Sequence, residues 1–279
     1  MDPVTQVPGA MPLWQRVGGG DPANRIAVID GPVDLHHPSL SGSRLAVSDH
    51  DAVSISAVKS EHGTHIASVL MGVPGSSVVG LAPNCTATIY SIYREGDNGE
   101  LIPSSQATLA LTINRALADG ADVINVSSGQ LTPTGQAQRI LADAVRSCNR
   151  AGKLIVAAAG NDGCRCLQVP ASLESVLAVG ACDLDGRPLP FSNFGDAYLE
   201  NGILAPGKDV KGASPSQNVA LRSGTSFATP IVTGVIALLL SLLRKSGRES
   251  PLPSRRNEDD IDAVVSETPH LSLRYGLVG

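Results

Sequence analysis

Aromatic side chains are scarce in this sequence: they make up 3% of its 279 residues, with one Trp, three Phe and four Tyr. A folded core must therefore be built from Ala, Val, Ile and Leu, with 29 glycines allowing close backbone approach. That composition is typical of an α/β protein with a buried parallel sheet. The hydrophobic fraction of 42% and the charged fraction of 17% exclude a disordered chain.

Strong basic patches, long apolar runs and a targeting segment are also lacking. The net charge is −5 and no Lys/Arg cluster dominates, which argues against nucleic-acid binding. The longest apolar stretch, residues 231–243, is shorter than the ~20 residues of a membrane span. The N-terminus has neither the basic start nor the apolar core of a signal peptide. We therefore expect a cytoplasmic protein with no membrane or nucleic-acid partner.

Cysteine is infrequent, and its odd count of five argues against a secreted disulfide framework. Cys164 and Cys166 lack the second pair that a zinc site would need. We expect them to be small buried thiols or, at most, one local disulfide that tightens a loop.

Short apolar strands alternate with amphipathic helices along the chain. The pattern predicts strands over 26–30, 86–93, 123–127, 154–159 and 176–181, and helices over 62–72, 104–119, 136–151 and 226–243. Such alternation predicts right-handed crossovers, and hence a three-layer α/β fold with a mostly parallel central sheet and helices on both faces.

Composition divides the chain into four parts. Residues 1–24 are rich in Pro and Gly and predict an irregular N-terminal arm, and 25–244 form the main α/β core. Residues 245–257 are a polar linker, and 258–279 form a C-terminal helix, over 258–267, and a tail of the same domain.

Three segments carry residues suited to nucleophilic catalysis. Asp30 ends an apolar strand, His62 opens one apolar helix and Ser226 opens another. A Ser hydroxyl is a poor nucleophile at neutral pH unless an imidazole removes its proton, and the imidazole needs a carboxylate to orient it. The chain order Asp, His, Ser excludes the chymotrypsin-like and α/β-hydrolase scaffolds, whose orders differ.

A fourth segment can complete such a site. Asn161 follows the apolar run 157–159 and Gly160. Its neutral amide can donate to a developing oxyanion, and the backbone N–H of Ser226, at a helix N-terminus, is the natural second donor.

These segments resemble the subtilisin-like serine proteases, or subtilases. The matching motifs are DG at 30–31, HGTHIA at 62–67, AAGN at 158–161 and SGTSFATP at 223–230, in the family's order. Within the family, the runs at 163–183 and 191–207 look most like the PatA/PatG-type proteases that process cyanobactin precursor peptides, with the PatA type favoured.

The resemblance implies a three-layer subtilisin-like fold and a role for each matching residue. Asp30, His62 and Ser226 would be the catalytic triad, and Asn161 with the Ser226 N–H would form the oxyanion hole. Residues 127–129 would pair with an extended substrate as an added strand. The implied substrate-binding residues are Gly99, Glu100, Leu101, Ser127, Ser128, Gly129, Ala158, Ala159, Gly160, Gln168 and Thr225.

Metal ions are not expected. Residues 72–80, where many subtilases carry a calcium loop, contain no Asp, Glu or Asn, and a hard cation commonly needs carboxylates. A metallohydrolase built on His62 and His65 is an alternative, but the sequence lacks the HExxH pattern. We expect His65 to be structural and the protein to need no cofactor.

The expected function is that of a serine endopeptidase, acting as a monomer, that cleaves a ribosomal precursor peptide between leader and core. Only 29 residues precede Asp30 in this sequence, so we expect no folded inhibitory prodomain. The short spacing from Asp30 to His62 lacks the helical insertion of PatG-type macrocyclases, which favours hydrolysis. The alternatives are a transpeptidase or macrocyclase using the same triad, and a catalytically idle peptide-binding module.

Overall fold

The computed structural model describes residues 1–48, 61–95, 101–102, 104–215, 217–247 and 274–275. Within those ranges the main sheet has eight strands, in the order β14-β11-β10-β8-β6-β1-β3-β2. They are β1 (Arg25–Asp30), β2 (Leu45–Val47), β3 (Thr86–Ser91), β6 (Val123–Val126), β8 (Leu154–Ala158), β10 (Val176–Cys182), β11 (Gly202–Pro206) and β14 (Arg274–Tyr275). All neighbours pair in parallel except β14, which is antiparallel to β11.

Three two-stranded ribbons and seven helices complete the described part of the chain. The ribbons pair β4 (Arg94–Glu95) with β5 (Leu101–Ile102), β7 (Gln130–Leu131) with β9 (Gln168–Val169), and β12 (Val210–Ser214) with β13 (Asn218–Arg222). The helices are α1 (Pro3–Gln6), α2 (Ala10–Val17), α3 (Glu61–Met71), α4 (Gln106–Ala118), α5 (Arg139–Arg150), α6 (Asp196–Asn201) and α7 (Thr225–Lys245).

Helices cover both faces of the sheet, as the three-layer prediction requires. Strands β6 and β11 are buried at every position, because a parallel sheet between helices exposes neither face. One core joins the sheet to α3 and α7 through residues such as Ile66, Leu70 and Ile231. A second core lies on the opposite face, under α4 and α5, and includes Ile113 and Leu141.

The prediction of an irregular N-terminal arm is wrong for residues 3–6 and 10–17, which form α1 and α2. Leu13 and Val17 are spaced one helical turn apart, and both pack against the C-terminal half of α7. Gly18, with φ of 66°, ends α2 in the left-handed conformation that glycine adopts readily. Gly9 and Gly18 thus flank α2, and Pro3 and Pro12 lie in the first turns of the two helices, where proline is tolerated.

Helix α7 extends two residues beyond its predicted C-terminus. By length and composition it could cross a membrane, but 89% of its apolar window is buried inside the protein, as expected of a core helix. The predicted linker, from residue 248 onward, and the predicted helix over 258–267 lie outside the described residues.

Candidate active site

Residues from three neighbouring strands meet at the carboxyl edge of the sheet. Strand β1 ends in Asp30, β6 is followed by Ser127, and β8 is followed by the turn that carries Asn161. Because β6 lies between β1 and β8, and adjacent strands are about 4.8 Å apart, the three chain ends lie within about 10 Å. Open α/β sheets bind ligands at this edge.

Asp30 is fully buried and holds the imidazole of His62. Its Oδ1 accepts hydrogen bonds from the backbone N–H of Gly31, at 2.6 Å, and from Nδ1 of His62, at 2.8 Å. With Oδ1 of Asp30 as the acceptor, His62 carries a proton on Nδ1 and presents the lone pair of Nε2 as an acceptor. The pair therefore has the geometry of a base and the group that orients it.

The environment of His62 has opposing effects on its proton affinity. Burial lowers the pKa of His62, but the negative charge of Asp30 and the hydrogen bond to it raise the pKa by more. The net result is a pKa above the ordinary value of 6.5. Asp30 thus stabilises the imidazolium that forms when His62 takes up a proton.

Ser226 lies in the first turn of α7, beside this pair. The ring of Phe227, the next residue, is 5.2 Å from the ring of His62. Ser226 is almost buried, and its Oγ makes no hydrogen bond among the described residues, to His62 or to any other group. Catalytic hydrogen bonds are often long before substrate binds. Among the described residues, the structure thus brings His62 and the start of α7 together through Phe227, and it shows a hydrogen bond of the triad only between His62 and Asp30.

Asn161 is anchored by Thr225, the residue before Ser226. Its side-chain Oδ1 accepts hydrogen bonds from the Thr225 backbone N–H, at 2.8 Å, and from the Thr225 hydroxyl, at 3.1 Å. The same hydroxyl accepts a bond from the Gly160 N–H at 3.2 Å. With Oδ1 fixed in this way, Nδ2 of Asn161 remains as a donor beside Ser226.

Asn193 supports both neighbours of Asn161. Its backbone N–H donates to the Gly160 carbonyl at 3.0 Å. Its side chain accepts from the Asp162 N–H at 2.7 Å and donates to the Asp162 carboxylate at 2.9 Å. Gly160 has φ of 109°, and a Cβ there would collide with the Asn193 amide. The turn around Asn161 is therefore held from within the protein.

Two backbone segments and one side chain bound a crevice beside Asn161. Residues 127–129 continue from β6 and residues 158–160 from β8. Gln168, at the start of β9, is buried between them, and its Nε2 donates to the Ala158 carbonyl at 2.6 Å. Of the implied substrate-binding residues, Ser127, Ser128, Gly129, Ala158, Ala159, Gly160, Gln168 and Thr225 thus lie around the crevice or beside Ser226.

The opposite wall of the implied cleft is described only in part. Gly99 and Glu100 lie outside the described residues. Leu101 belongs to β5, whose backbone pairs with β4. The roles implied for these three residues stay predictions.

His65 lies one turn after His62 on α3 but faces the interior. Its Nε2 donates to the Val210 carbonyl at 3.1 Å, and its ring packs edge-on against Phe227 at 4.7 Å. Burial lowers the pKa of His65 to about 4, so the ring is neutral at physiological pH. Because one nitrogen is used by Val210 and the other is buried, this geometry supports a structural role and not a metal ligand.

Four residues near the site were missed by the sequence analysis. Tyr93 lies near Ser128 and Asp30, and burial together with the Asp30 charge raises its pKa to about 12. Phe227 packs against the rings of both His62 and His65. Asn193 and Tyr198 act through contacts with residues about thirty positions away, and only their presence in the run 191–207 could have drawn attention to them.

Four of the five cysteines are unsuited to nucleophilic chemistry. Cys164 and Cys166 form the one local disulfide that the sequence allowed, in the loop after Asn161. Burial raises the pKa of both Cys85 and Cys148 to about 11, so neither thiol is a candidate nucleophile.

The model of the subtilase peptidase family matches residues 23–267. This chain therefore belongs to the subtilase family, as its motifs indicated. It spans about half the length of the curated relatives that it matches. One is the thermophilic serine proteinase of Bacillus sp. strain AK1, 34% identical over 229 residues that make up 80% of this chain and 53% of the relative.

Solved structures of two maturation proteases are more similar. The prenylagaramide maturation protease PagA is 47% identical, with a TM-score of 0.81 and coverage of 88% of this chain and 85% of its own. The patellamide maturation protease PatA is also 47% identical, with a TM-score of 0.75 and coverage of 84% of each chain. The PatG macrocyclase in complex with peptide is 29% identical, with a TM-score of 0.78 and coverage of 88% of this chain and 84% of its own.

Proposed function

We propose that this chain is a serine endopeptidase that cuts a ribosomally made precursor peptide between its leader and its core. The observation that carries the proposal is the buried Asp30 bonded to His62, next to Ser226 at the start of α7. An amide donor, Asn161, is fixed by Thr225, the residue before Ser226. These are the parts that acyl transfer by a serine requires.

Each part has a defined task in the reaction. His62 accepts the Ser226 proton on Nε2 while Oγ attacks the peptide carbonyl, and Asp30 stabilises the imidazolium. Nδ2 of Asn161 and the Ser226 N–H donate to the oxyanion of the tetrahedral intermediate. His62 then gives its proton to the leaving amine, and a water molecule, deprotonated by His62, releases the acyl group.

The substrate class rests on similarity. At 46–47% identity the chain is much nearer to PagA and PatA, both maturation proteases, than to the PatG macrocyclase, at 29%. Asp30 and His62 are 32 positions apart, a spacing too short for the helical insertion that we associate with ring closure. Hydrolysis to a linear product follows. Cytoplasmic location and a monomeric state remain part of the proposal.

Ring closure by the same triad is the second candidate, because the chain also matches a macrocyclase bound to peptide. The two reactions share the acyl-enzyme and differ only in whether water or the peptide's own amine attacks it. Mass spectrometry of the product separates them, since a cyclic core weighs one water less than the linear core.

The first experiment is intact-protein mass spectrometry after treatment with a fluorophosphonate. Wild type should gain one adduct, located on Ser226, whether or not EDTA is present. Ser226→Ala should gain none, whereas Ser147→Ala, a control on the surface of α5, should behave as wild type. If folded wild type gains no adduct, the protease proposal fails and the idle binding module takes its place. Loss of peptidase activity in EDTA, together with no fluorophosphonate adduct, would instead favour the metallohydrolase.

A further inference from the structure

Strand β6 contains one polar residue, Asn125, in the interior of the main sheet. The strand lies between β1 and β8, every position of it is buried, and Asn125 is fully buried. Its neighbours across the sheet are Val28 and Val156. An amide buried among apolar side chains destabilises a fold unless its donors and its acceptor are hydrogen-bonded. Asn125 therefore needs partners on the face of the sheet to which its side chain points.

That face is the one covered by α7. Side chains alternate along a strand, and Val123, two residues before Asn125, belongs to the core that joins the sheet to α3 and α7. The hydroxyl of Thr233, on α7, donates to Oδ1 of Asn125 at 2.9 Å. Nδ2 of the same amide donates to Oγ of Ser127 at 2.9 Å. Both ends of the amide are thus bonded, one to a helix and the other to the first residue after β6.

Thr233 is one of three fully buried threonines that are spaced four residues apart on one face of α7. The hydroxyl of Thr229 donates to the Thr225 carbonyl at 2.8 Å, and the hydroxyl of Thr233 also lies 3.1 Å from the Thr229 carbonyl. Thr225 in turn donates to Oδ1 of Asn161. Helix α7 therefore anchors the proposed oxyanion donor near its start and Asn125 about two turns later.

Ser127 is the residue through which this network reaches the site. It is almost fully buried, and it opens the segment 127–129, which in the proposed function pairs with an extended peptide. Residues 127–129 belong to no helix or strand, so the backbone hydrogen bonds of the sheet do not fix them. The bond from Nδ2 of Asn125 ties the first of them to the sheet and to α7 instead.

We propose that Asn125 and Thr233 are positioning residues that hold the segment 127–129 where an extended peptide can pair with it. This inference rests on the proposed protease function and adds two buried residues that act through Ser127. The helix that carries Thr233 also carries Ser226, so one element positions both the peptide and the nucleophile. Breaking the network should slow reactions that use several residues of a peptide, and it should leave the reactivity of the serine itself unchanged.

The test measures how much a reaction gains from a longer peptide. Two diphenyl phosphonates carry the same Ala analogue on phosphorus, one capped directly with acetyl and the other extended by three alanines. Because both end in the same residue, the ratio of their labelling rates, the extension gain, does not depend on the pocket that receives this residue. Labelling is followed by intact mass for wild type, Thr233→Val, Thr233→Ser, Asn125→Leu and Ser127→Ala. Thr112→Val is the matched control, since it makes the same change at a buried threonine of α4, on the other face of the sheet.

Wild type, Thr233→Ser and Thr112→Val should react at least about tenfold faster with the longer probe. Thr233→Val, Asn125→Leu and Ser127→Ala should each lower this gain by about five- to tenfold, the factor that one hydrogen bond supplies. Ser127→Ala combined with Thr233→Val should lose no more than the larger single loss, because both changes break the same chain of bonds. A fluorophosphonate without a peptide should label the Thr233 and Asn125 variants at the wild-type rate.

Wild type that gains nothing from the longer probe would overturn the inference, and so would Thr233→Val and Ser127→Ala variants that keep the full gain. A fluorophosphonate rate that falls as much as the peptide rate would also overturn it, since the network would then be only structural. If Thr233→Val and Asn125→Leu do not fold, Ser127→Ala decides, because its hydroxyl is the end of the chain of bonds. These outcomes leave the protease in place, whereas failure of every reagent to label folded wild type would remove the proposed function and this inference with it.

Discussion

The hydroxyl of Thr225 offers the sharpest test of how the oxyanion donor is positioned. It donates to Oδ1 of Asn161 at 3.1 Å and accepts from the Gly160 N–H at 3.2 Å, and Thr225 is fully buried. Thr225→Val keeps the shape and the β-branch but removes both hydrogen bonds. Thr225→Ser is the matched control, because it keeps the hydroxyl and loses only a methyl group.

The expected magnitudes follow from these contacts. Removing an oxyanion donor outright costs about 10²–10³ in kcat. In Thr225→Val, Asn161 keeps its 2.8 Å bond from the Thr225 backbone, so we expect a smaller loss, about tenfold in kcat, with KM little changed. The buried Gly160 N–H loses its partner, which should cost about 1–3 kcal/mol of folding stability.

The assay is steady-state hydrolysis of a fluorogenic peptide, combined with inhibition by a peptide boronic acid that mimics the tetrahedral intermediate. Thr225→Val should weaken boronate inhibition by the same factor as kcat, whereas Thr225→Ser should resemble wild type in both. A Val variant with wild-type kcat would refute the positioning argument. So would a Ser variant that loses as much as the Val variant, because the hydroxyl would then not matter.

Three further predictions concern the Asp30–His62 pair, the turn around Asn161 and the packing of helix α2. His62 must be neutral to act as a base, and its pKa is raised, so kcat/KM should fall as pH drops through a value above 6.5. Asp30→Asn removes the charge that raises this pKa, so it should move the acidic limb of the pH–rate profile to lower pH while greatly reducing kcat. Asn193→Ala should lower kcat by about tenfold without raising KM, because the turn around the oxyanion amide loses its side-chain support; an unchanged kcat would contradict this. Leu13→Ala should lower the free energy of unfolding by about 2–5 kcal/mol, because Leu13 is buried against α7. The same change at the exposed Leu111 should be nearly neutral in a urea titration.

The sequence predicted the elements well where a local pattern determines them. Strand β1 and helix α3 lie within one residue of their predicted bounds, because an apolar run or a helical apolar face specifies each of them. Helix α5 begins at Arg139, three residues later than predicted. Gln138, the residue before the helix, donates its backbone N–H to the side chain of Gln106 on α4. No local sequence pattern contains that contact.

The residues of the candidate site also fall into those that a local motif indicates and those that depend on contacts distant in sequence. The sequence singles out Asp30, His62, Ser226 and Asn161, because each occupies a short motif whose residue types suggest a chemical role. The support given by Asn193 could not be found, because its partners are separated from it by about thirty residues in sequence and meet it only in the fold.

The structure ties the parts of the candidate site to different elements. The proposed base and its carboxylate depend on β1 and α3, and the proposed oxyanion donor depends on Thr225 at the start of α7, so these groups are tied to the core of the protein. Gln168 belongs instead to the short ribbon of β7 and β9 and bonds to the Ala158 carbonyl, three residues before Asn161. We therefore expect a substitution at Gln168 to disturb the spacing of His62, Ser226 and Asn161 less than a substitution at Thr225 would, because Thr225 bonds directly to Asn161 and precedes Ser226.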